Sequence, residues 1–243
     1  MAEPLVESVA AEITEAVRRV DFETVSATYW RQDEFVCLER CLPAPLVQRF
    51  VAEVERVRPA VHRVLVPRRK KSGSVSYHVL RQQAPAIVTL YRTPAFIDFL
   101  SALTGRSLLL CPDRDPHSCA LYLYTEPGDF IRAHYDRSFY KGARYTVLLG
   151  LVNRTRSTLA CRLFHGDPQR APVDLELATE PGTLVIFNGD KLWHWVTPLG
   201  ENEERVVLTM EYLTGLGMNP FKRFISDMKD AVSYFGFREV FGR

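Results

Sequence analysis

Apolar side chains recur at helical spacing near the start of the chain and at short, alternating spacing through its second half. Leu5, Val9, Ile13, Ala16 and Val17 fall on one face of a helix over residues 5–19, with acids in its early turns and Arg18 and Arg19 at its end, as the helix dipole favours. Leu42-Pro43 opens a second periodic stretch whose Leu46, Phe50, Val54 and Val57 predict a helix facing a sheet. A third helix is expected from about Pro94 to Ala102, ending near Gly105. Between the second and third, His62 to Ser76 is basic and then Ser/Gly-containing without sustained periodicity, which predicts a mobile loop beside a short edge strand at Val75 to Leu80.

From Ser107 the pattern changes to eight short runs separated by turns: Leu108–Cys111, Ala120–Tyr124, Tyr145–Val152, Leu159–Phe164, Val173–Leu177, Thr183–Phe187, His194–Val196 and Arg205–Leu213. No convincing helix interrupts them, so parallel βαβ units are disfavoured and an antiparallel sandwich or barrel is expected. Beyond Gly217 the pattern is helical again over Pro220 to Val232. The expected organisation is a single α+β, mainly β, domain over 1–243. Residues 1–106 form helical support and substrate-side elements, 107–213 the β core, and 214–243 a C-terminal helical support.

Composition narrows the class. Of 243 residues, 47% are apolar and 25% charged, which a disordered chain does not reach, and the net charge of +2 provides no global field for nucleic acid or membrane surfaces. No run approaches the roughly 20 apolar residues of a membrane span, and Glu3, Glu7, Glu12 and Glu15 stand where a signal peptide is apolar, so a cytoplasmic protein is expected. The five cysteines have neither disulfide-framework nor zinc-ribbon spacing and are expected as reduced, mostly buried thiols.

The candidate chemistry lies in the histidines. Side chains two apart on an extended strand share a face, so a His-x-Asp triplet can grip one metal ion. Two triplets occur, His134-Tyr135-Asp136 and His165-Gly166-Asp167. The second runs into Pro168 and has the chemistry of a turn, whereas the first ends the extended segment Phe130 to Asp136. The 58 residues from 136 to 194 leave room for antiparallel strands to return His194 beside the first triplet. Two imidazoles and a carboxylate on one face suit iron(II) with open positions. Taken alone, His194 reads better as a partly buried histidine braced between Trp193 and Trp195. Arg205 tips the balance, because an arginine opening an apolar strand is costly to bury unless a carboxylate meets its planar fork.

His134-x-Asp136, the Gly182 to Phe187 strand, His194 with Val196 and Pro198, and Arg205 together resemble the signature of the iron(II)/2-oxoglutarate-dependent oxygenases, in particular the prolyl 4-hydroxylase-like branch. The resemblance covers roughly Leu121 to Leu213. It implies a double-stranded β-helix, or jelly roll, with flanking helices. It implies that His134, Asp136 and His194 bind Fe(II), that Arg205 meets the distal carboxylate of 2-oxoglutarate, and that Tyr124 and Thr209 sit at the co-substrate. The implied activity is that of a dioxygenase, which hydroxylates or otherwise oxidises a substrate with dioxygen and releases succinate and carbon dioxide. Asp136 is not replaced by a small residue, which favours hydroxylation over halogenation.

The chain departs from the family at Ser157 to Phe164, where relatives often carry a Gly-Gly turn on the substrate side, so substrate identity does not transfer. A small polar metabolite, such as an amino acid or biosynthetic intermediate, is the expected substrate, with Arg81, Arg132, Arg137 and Arg162 as candidate anchors for its anionic groups. Residues 62–76 are expected as a lid. A peptidyl substrate, or nucleic acid along Arg68 to Lys71, is the alternative oxygenase reading, a membrane partner is not expected, and no feature fixes an oligomeric state. The rival classes are a zinc hydrolase using the same three ligands and an inactive jelly-roll binding module.

Overall fold

In the computed structural model the structure describes residues 2–217, so the expected helix at Pro220 to Val232 lies outside the described residues. Helix α1 (Ala2–Arg18) buries Val9, Ile13, Ala16 and Val17, the stripe its spacing predicts, while Leu5 stays exposed. Helix α2 (Phe22–Arg31) was not legible as a periodic run because Tyr29 alone is buried; its start is fixed by Asp21, whose carboxylate accepts from Thr24 N. Strand β1 (Phe35–Leu38) leads to α3 (Ala44–Val57), which buries Leu46, Phe50, Val54 and Val57 against further helices and the sheet.

Residues 62–76 depart from the expected mobile loop. They form the hairpin β2 (His62–Val66) and β3 (Lys70–Val75), with only the turn at 67–69 irregular. Strand β3 was hidden because its inward positions are Lys70, Ser72 and Ser74 instead of apolar residues. On the alternate face Gly73 is closely packed: a Cβ there would stand 2.6 Å from Val61 Cγ1 and 3.3 Å from Leu123 O. Val75 to Leu80 is no edge strand either. The chain turns at Ser76 into α4 (Tyr77–Gln83), whose first turn the Ser76 hydroxyl caps.

Helix α5 (Pro85–Arg92) follows, and the buried Glu53 carboxylate accepts from Ala86 N at 3.0 Å and Ile87 N at 2.9 Å. That satisfies two donors left open at a helix start and places a negative charge where the dipole favours it. Helix α6 (Pro94–Thr104) ends at Gly105, as its spacing predicts. Among the described residues no single helix is long and apolar enough to cross a membrane; α5 and α6 pass that test only as one bent pair, and their apolar faces lie in the core.

The remaining strands are β4 (Leu109–Leu110), β5 (Cys119–Tyr124), β6 (Phe130–His134), β7 (Arg144–Arg154), β8 (Leu159–Leu163), β9 (Val173–Leu177), β10 (Leu184–Asn188), β11 (Trp193–Val196) and β12 (Glu204–Leu213). All pairings are antiparallel in the order β1-β10-β7-β12-β5-β3-β6-β11-β8-β9, with β2 beside β3 and β4 beside β12. The sheet curls on itself as a jelly roll. Strand alternation divides two cores: Val147, Leu149, Leu184, Ile186, Val206 and Leu208 face the helices, while Leu148, Val185, Phe187 and Val207 face the inside of the curl. Burial on both faces explains why these strands read as nearly continuous apolar runs. All five cysteines are free, three of them buried.

Candidate active site

The inside of the curl opens at the end of β6. His134 and His194 are register partners across β6 and β11, and the ladder is irregular between His194 and Val196. Asp136, two residues past the strand, lies on the same side as His134. Its Oδ1 is 3.3 Å from His134 Nε2 and its Oδ2 is 3.7 Å from His194 Nε2. One ligand atom from each of the three residues lies within 4.8 Å of the others, and among the described residues no other His, Cys, Asp and Glu set converges in this way.

The backbone orients both imidazoles. His134 Nδ1 donates to Arg132 O at 2.9 Å and His194 Nδ1 donates to Leu192 O at 3.2 Å. A carbonyl can only accept, so each Nδ1 carries the proton and each Nε2 lone pair is left for a metal. Burial pushes the His194 imidazolium down to about 4, which keeps that ring neutral at neutral pH. Burial alone would raise the Asp136 carboxyl, but the two histidines and Arg144 hold it well below the usual carboxylate range. Burial works against the His134 imidazolium, and its hydrogen bond and charge interaction with Asp136 raise its pKa overall. Two neutral-capable imidazoles and an ionised carboxylate are the donor set iron(II) takes.

Asp136 is itself braced. Thr146 Oγ1, on β7, stands 3.0 Å from both Asp136 Oδ2 and Glu211 Oε2, and Glu211 accepts from Arg144 Nε at 2.6 Å. Burial raises the Glu211 carboxyl, with Arg144 opposing it. Behind Asp136 runs Gly189, where a Cβ would stand 2.5 Å from Asp136 O and 2.9 Å from Asp136 Cβ. The loop after β10 therefore approaches as closely as a glycine permits.

A cavity of about 410 Å³ adjoins these ligands. One face of β12 lines it with Arg205, Val207, Thr209, Glu211 and Leu213, the alternation of a strand. Arg205 is 1% exposed, and its Nε and Nη1 have no hydrogen-bond partner. Burial lowers its pKa, yet a guanidinium stays protonated. Tyr124 is its register partner on β5, with the guanidinium carbon 5.8 Å from the ring centroid. Leu148, Leu159 and Val196 supply apolar wall nearby. A buried cation with unsatisfied donors in such surroundings is a site shaped for a carboxylate.

The structure therefore brings His134, Asp136, His194, Arg205, Tyr124 and Thr209 to one cavity. Of the four anion anchors expected for the substrate, Arg137 alone lines it. Arg81 pairs with Asp113, Arg132 lies exposed off the lining, and Arg162 makes a two-pronged pair with Asp174 on the opposite face of β8 from the inward Cys161 and Leu163. The expected turn at His165 is present. His165 stacks on Trp193 with ring centroids 4.9 Å apart and meets the Tyr135 hydroxyl through Nδ1 at 2.6 Å, outside the ligand cluster. Lys70, which lines the cavity with its ammonium over the Tyr122 ring, and Thr146, Gly189 and Glu211 escaped the sequence reading. Glu211 was detectable, since it continues the face of Arg205 and Thr209; the others depend on how the sheet curls.

No protein-family model and no curated protein sequence matches the chain. Solved structures do. The epimerase SnoN, in complex with Fe3+, alpha ketoglutarate and nogalamycin RO, aligns with a TM-score of 0.69 over 86% of this chain and 90% of its own, at 16% identity. A prolyl hydroxylase from Trichoplax adhaerens, bound to a hypoxia inducible factor peptide, gives 0.62 over 87% and 94% at 16% identity. A prolyl-4-hydroxylase from Pseudomonas putida gives 0.57 over 81% and 100% at 20% identity. At such identities the likeness is one of fold, and the fold is the double-stranded β-helix expected from the sequence.

Proposed function

We propose that this chain is an iron(II)- and 2-oxoglutarate-dependent oxygenase acting on a small polar metabolite. The observation that carries the reading is the buried guanidinium of Arg205, whose Nε and Nη1 have no hydrogen-bond partner, in the same cavity as the His134, Asp136 and His194 cluster. A metal site alone would suit a zinc hydrolase as well, but that chemistry leaves a buried cation without purpose.

In this reading His134 Nε2, His194 Nε2 and an Asp136 oxygen hold the metal, and Arg205, flanked by Tyr124 and Thr209, receives the distal carboxylate of the co-substrate. When bound, iron and 2-oxoglutarate supply the oxidising power, coupling decarboxylation to succinate and carbon dioxide with oxidation of a substrate C–H bond by dioxygen. The chain's contribution is placement. The backbone carbonyls of Arg132 and Leu192 fix the histidine tautomers, Thr146 steadies Asp136, and Leu148, Leu159 and Val196 keep water from the co-substrate's end of the cavity.

The fold's relatives include one bound to nogalamycin RO and one bound to a peptide, so fold alone leaves the substrate open. A cavity of about 410 Å³ is the size of ordinary small-molecule sites, which supports the metabolite reading. The test is anaerobic titration of iron(II)-loaded protein with 2-oxoglutarate. The visible charge-transfer band of a chelated keto acid is expected, and Ala at His134, Asp136 or His194 should abolish or strongly weaken it. No band at saturating 2-oxoglutarate overturns the reading in favour of the zinc hydrolase or the binding module.

A further inference from the structure

Besides Lys70, which is buried with its ammonium 4.1 Å from the Tyr122 ring centroid, the charged groups around the cavity leave two arginines over once the proposed reaction has taken its share. Arg144 is answered by Glu211. Arg205 is reserved for the distal carboxylate, and Asp136 for the metal. Asp115 is engaged by the Tyr140 hydroxyl at 2.9 Å and by His117 N at 2.9 Å. Arg69, from the β2–β3 turn, and Arg137, just past the metal-binding triplet, line the same cavity and are themselves exposed, so they stand at its opening. Among the described residues neither has an ion-pair partner. Arg137 lies over the Tyr135 ring, 5.4 Å from its centroid.

Both are held in place by backbone. Arg69 O accepts from Arg132 N at 2.8 Å, which fixes the turn against β6, and Lys70 and Ile131 are register partners. Arg137 follows directly on Asp136, whose position the ligand cluster determines. Tyr135, Phe139 and Tyr140 line the same cavity and offer it ring surface. A cationic rim above an aromatic wall recognises a molecule with a negative end and a flat or apolar body.

We infer that Arg69 and Arg137 form an anion-recognising rim, and that the substrate is an organic acid, carboxylate or phosphate, whose body enters along Tyr135, Phe139 and Tyr140 toward the metal. This deepens the proposed function and rests on it for the assignment of Arg205 and Asp136 to co-substrate and metal. It replaces the four scattered anchors expected from sequence by two that share one opening.

The experiment is calorimetric titration of the full chain with phenyl phosphate, benzoate and the uncharged benzyl alcohol, with iron(II) and saturating 2-oxoglutarate present under anaerobic conditions. Either acid is expected to bind at least about tenfold more tightly than the alcohol, the difference shrinking as salt rises. The double variant Arg69→Gln, Arg137→Gln should erase that difference, while the charge-transfer band with 2-oxoglutarate keeps the parent's midpoint. Preference for phosphate or for carboxylate identifies which acid the rim takes. Equal binding of acids and alcohol, or acid binding unchanged in the double variant, overturns the inference. Acid binding is read from heat and the band from absorption. A missing band with an arginine-dependent acid preference would therefore defeat the oxygenase reading and leave the rim standing.

Discussion

His134 and His194 are cross-strand partners whose ring centroids lie 4.4 Å apart, although the chain runs from 134 to 194 between them. Antiparallel pairing of β6 with β11 is thus what brings two distant histidines into one candidate metal cluster, where Asp136 joins them with Thr146 Oγ1 3.0 Å from its Oδ2 and Gly189 packed behind it. The consequences of this bracing, and of the buried arginine beside it, are measurable.

Replacing Arg205 by Met should separate stability from co-substrate binding. The guanidinium is buried with unsatisfied donors, so in protein free of 2-oxoglutarate its removal relieves about 1–3 kcal/mol. For a chain of this length that is a rise in melting temperature of roughly 2–12 °C. Affinity for 2-oxoglutarate should fall at least about thirtyfold with iron binding retained. A lower melting temperature with unchanged 2-oxoglutarate affinity would remove Arg205 from the pocket's chemistry.

Thr146→Val keeps the side chain's shape and deletes the hydroxyl between Asp136 Oδ2 and Glu211 Oε2. Iron(II) affinity, measured by competition with a chelating dye, should drop about 10- to 100-fold, and Thr146→Ser should recover most of it. Parent-like affinity in the valine variant would show that Asp136 needs no such support.

Gly189→Ala places a methyl group 2.5 Å from Asp136 O, so one backbone must yield. We expect destabilisation of about 1–3 kcal/mol and weaker iron binding than any uniform loss of fold would give, read as iron per chain in protein whose circular dichroism is native. Full iron loading in that variant would mean that the loop after β10 can withdraw without disturbing the ligand.

Glu203 supplies the pH-dependent case. Its carboxylate accepts from Thr155 Oγ1 at 2.6 Å, Gly200 N at 2.8 Å and Arg156 N at 3.1 Å, tying the β7–β8 loop to the start of β12, where Arg205 stands. Those bonds hold its pKa down to about 2. A depressed folded-state value means that the stabilisation is complete above the ordinary glutamate range and is lost as pH falls from about 4.5 toward about 2. The melting-temperature gap between parent and Glu203→Gln should therefore be widest near neutral pH and close progressively below about pH 4.5. A gap independent of pH would assign the effect to packing.

How much of this was legible in the sequence follows from what each element buries. Helices α1 and α3 and strands β7, β10 and β12 announce themselves because apolar side chains occupy their inward positions. Strand β3 does not, since Lys70, Ser72 and Ser74 fill the inward places, and a polar strand inside a sheet has the composition of a loop. The His134-x-Asp136 pair was readable because strand alternation acts locally, whereas His194 and Arg205 joined it through the order and spacing that carry the family resemblance. Thr146 and Gly189 were not, because their contact with Asp136 depends on a curl no local pattern encodes. Arg81 and Arg162 lie off the cavity for a related reason: they have partners, Asp113 and Asp174, that no spacing rule brings beside them.

The central place of β3 also bears on how the molecule assembles in time. Gly73 to Val75 pair with β5, and Lys70 and Lys71 pair with β6, while Phe35 on β1 waits for Phe187 on β10. Ladders joining residues so far apart carry a large loop-closure cost before any contact repays it, and folds of this kind reach the native state in about milliseconds to seconds. Until the early hairpin docks, β5 and β6 expose unpaired edges to other chains. Refolding yield should therefore depend on protein concentration more than final stability does, and competence to bind iron, which needs β6, β7 and β11 together, should be the last property regained.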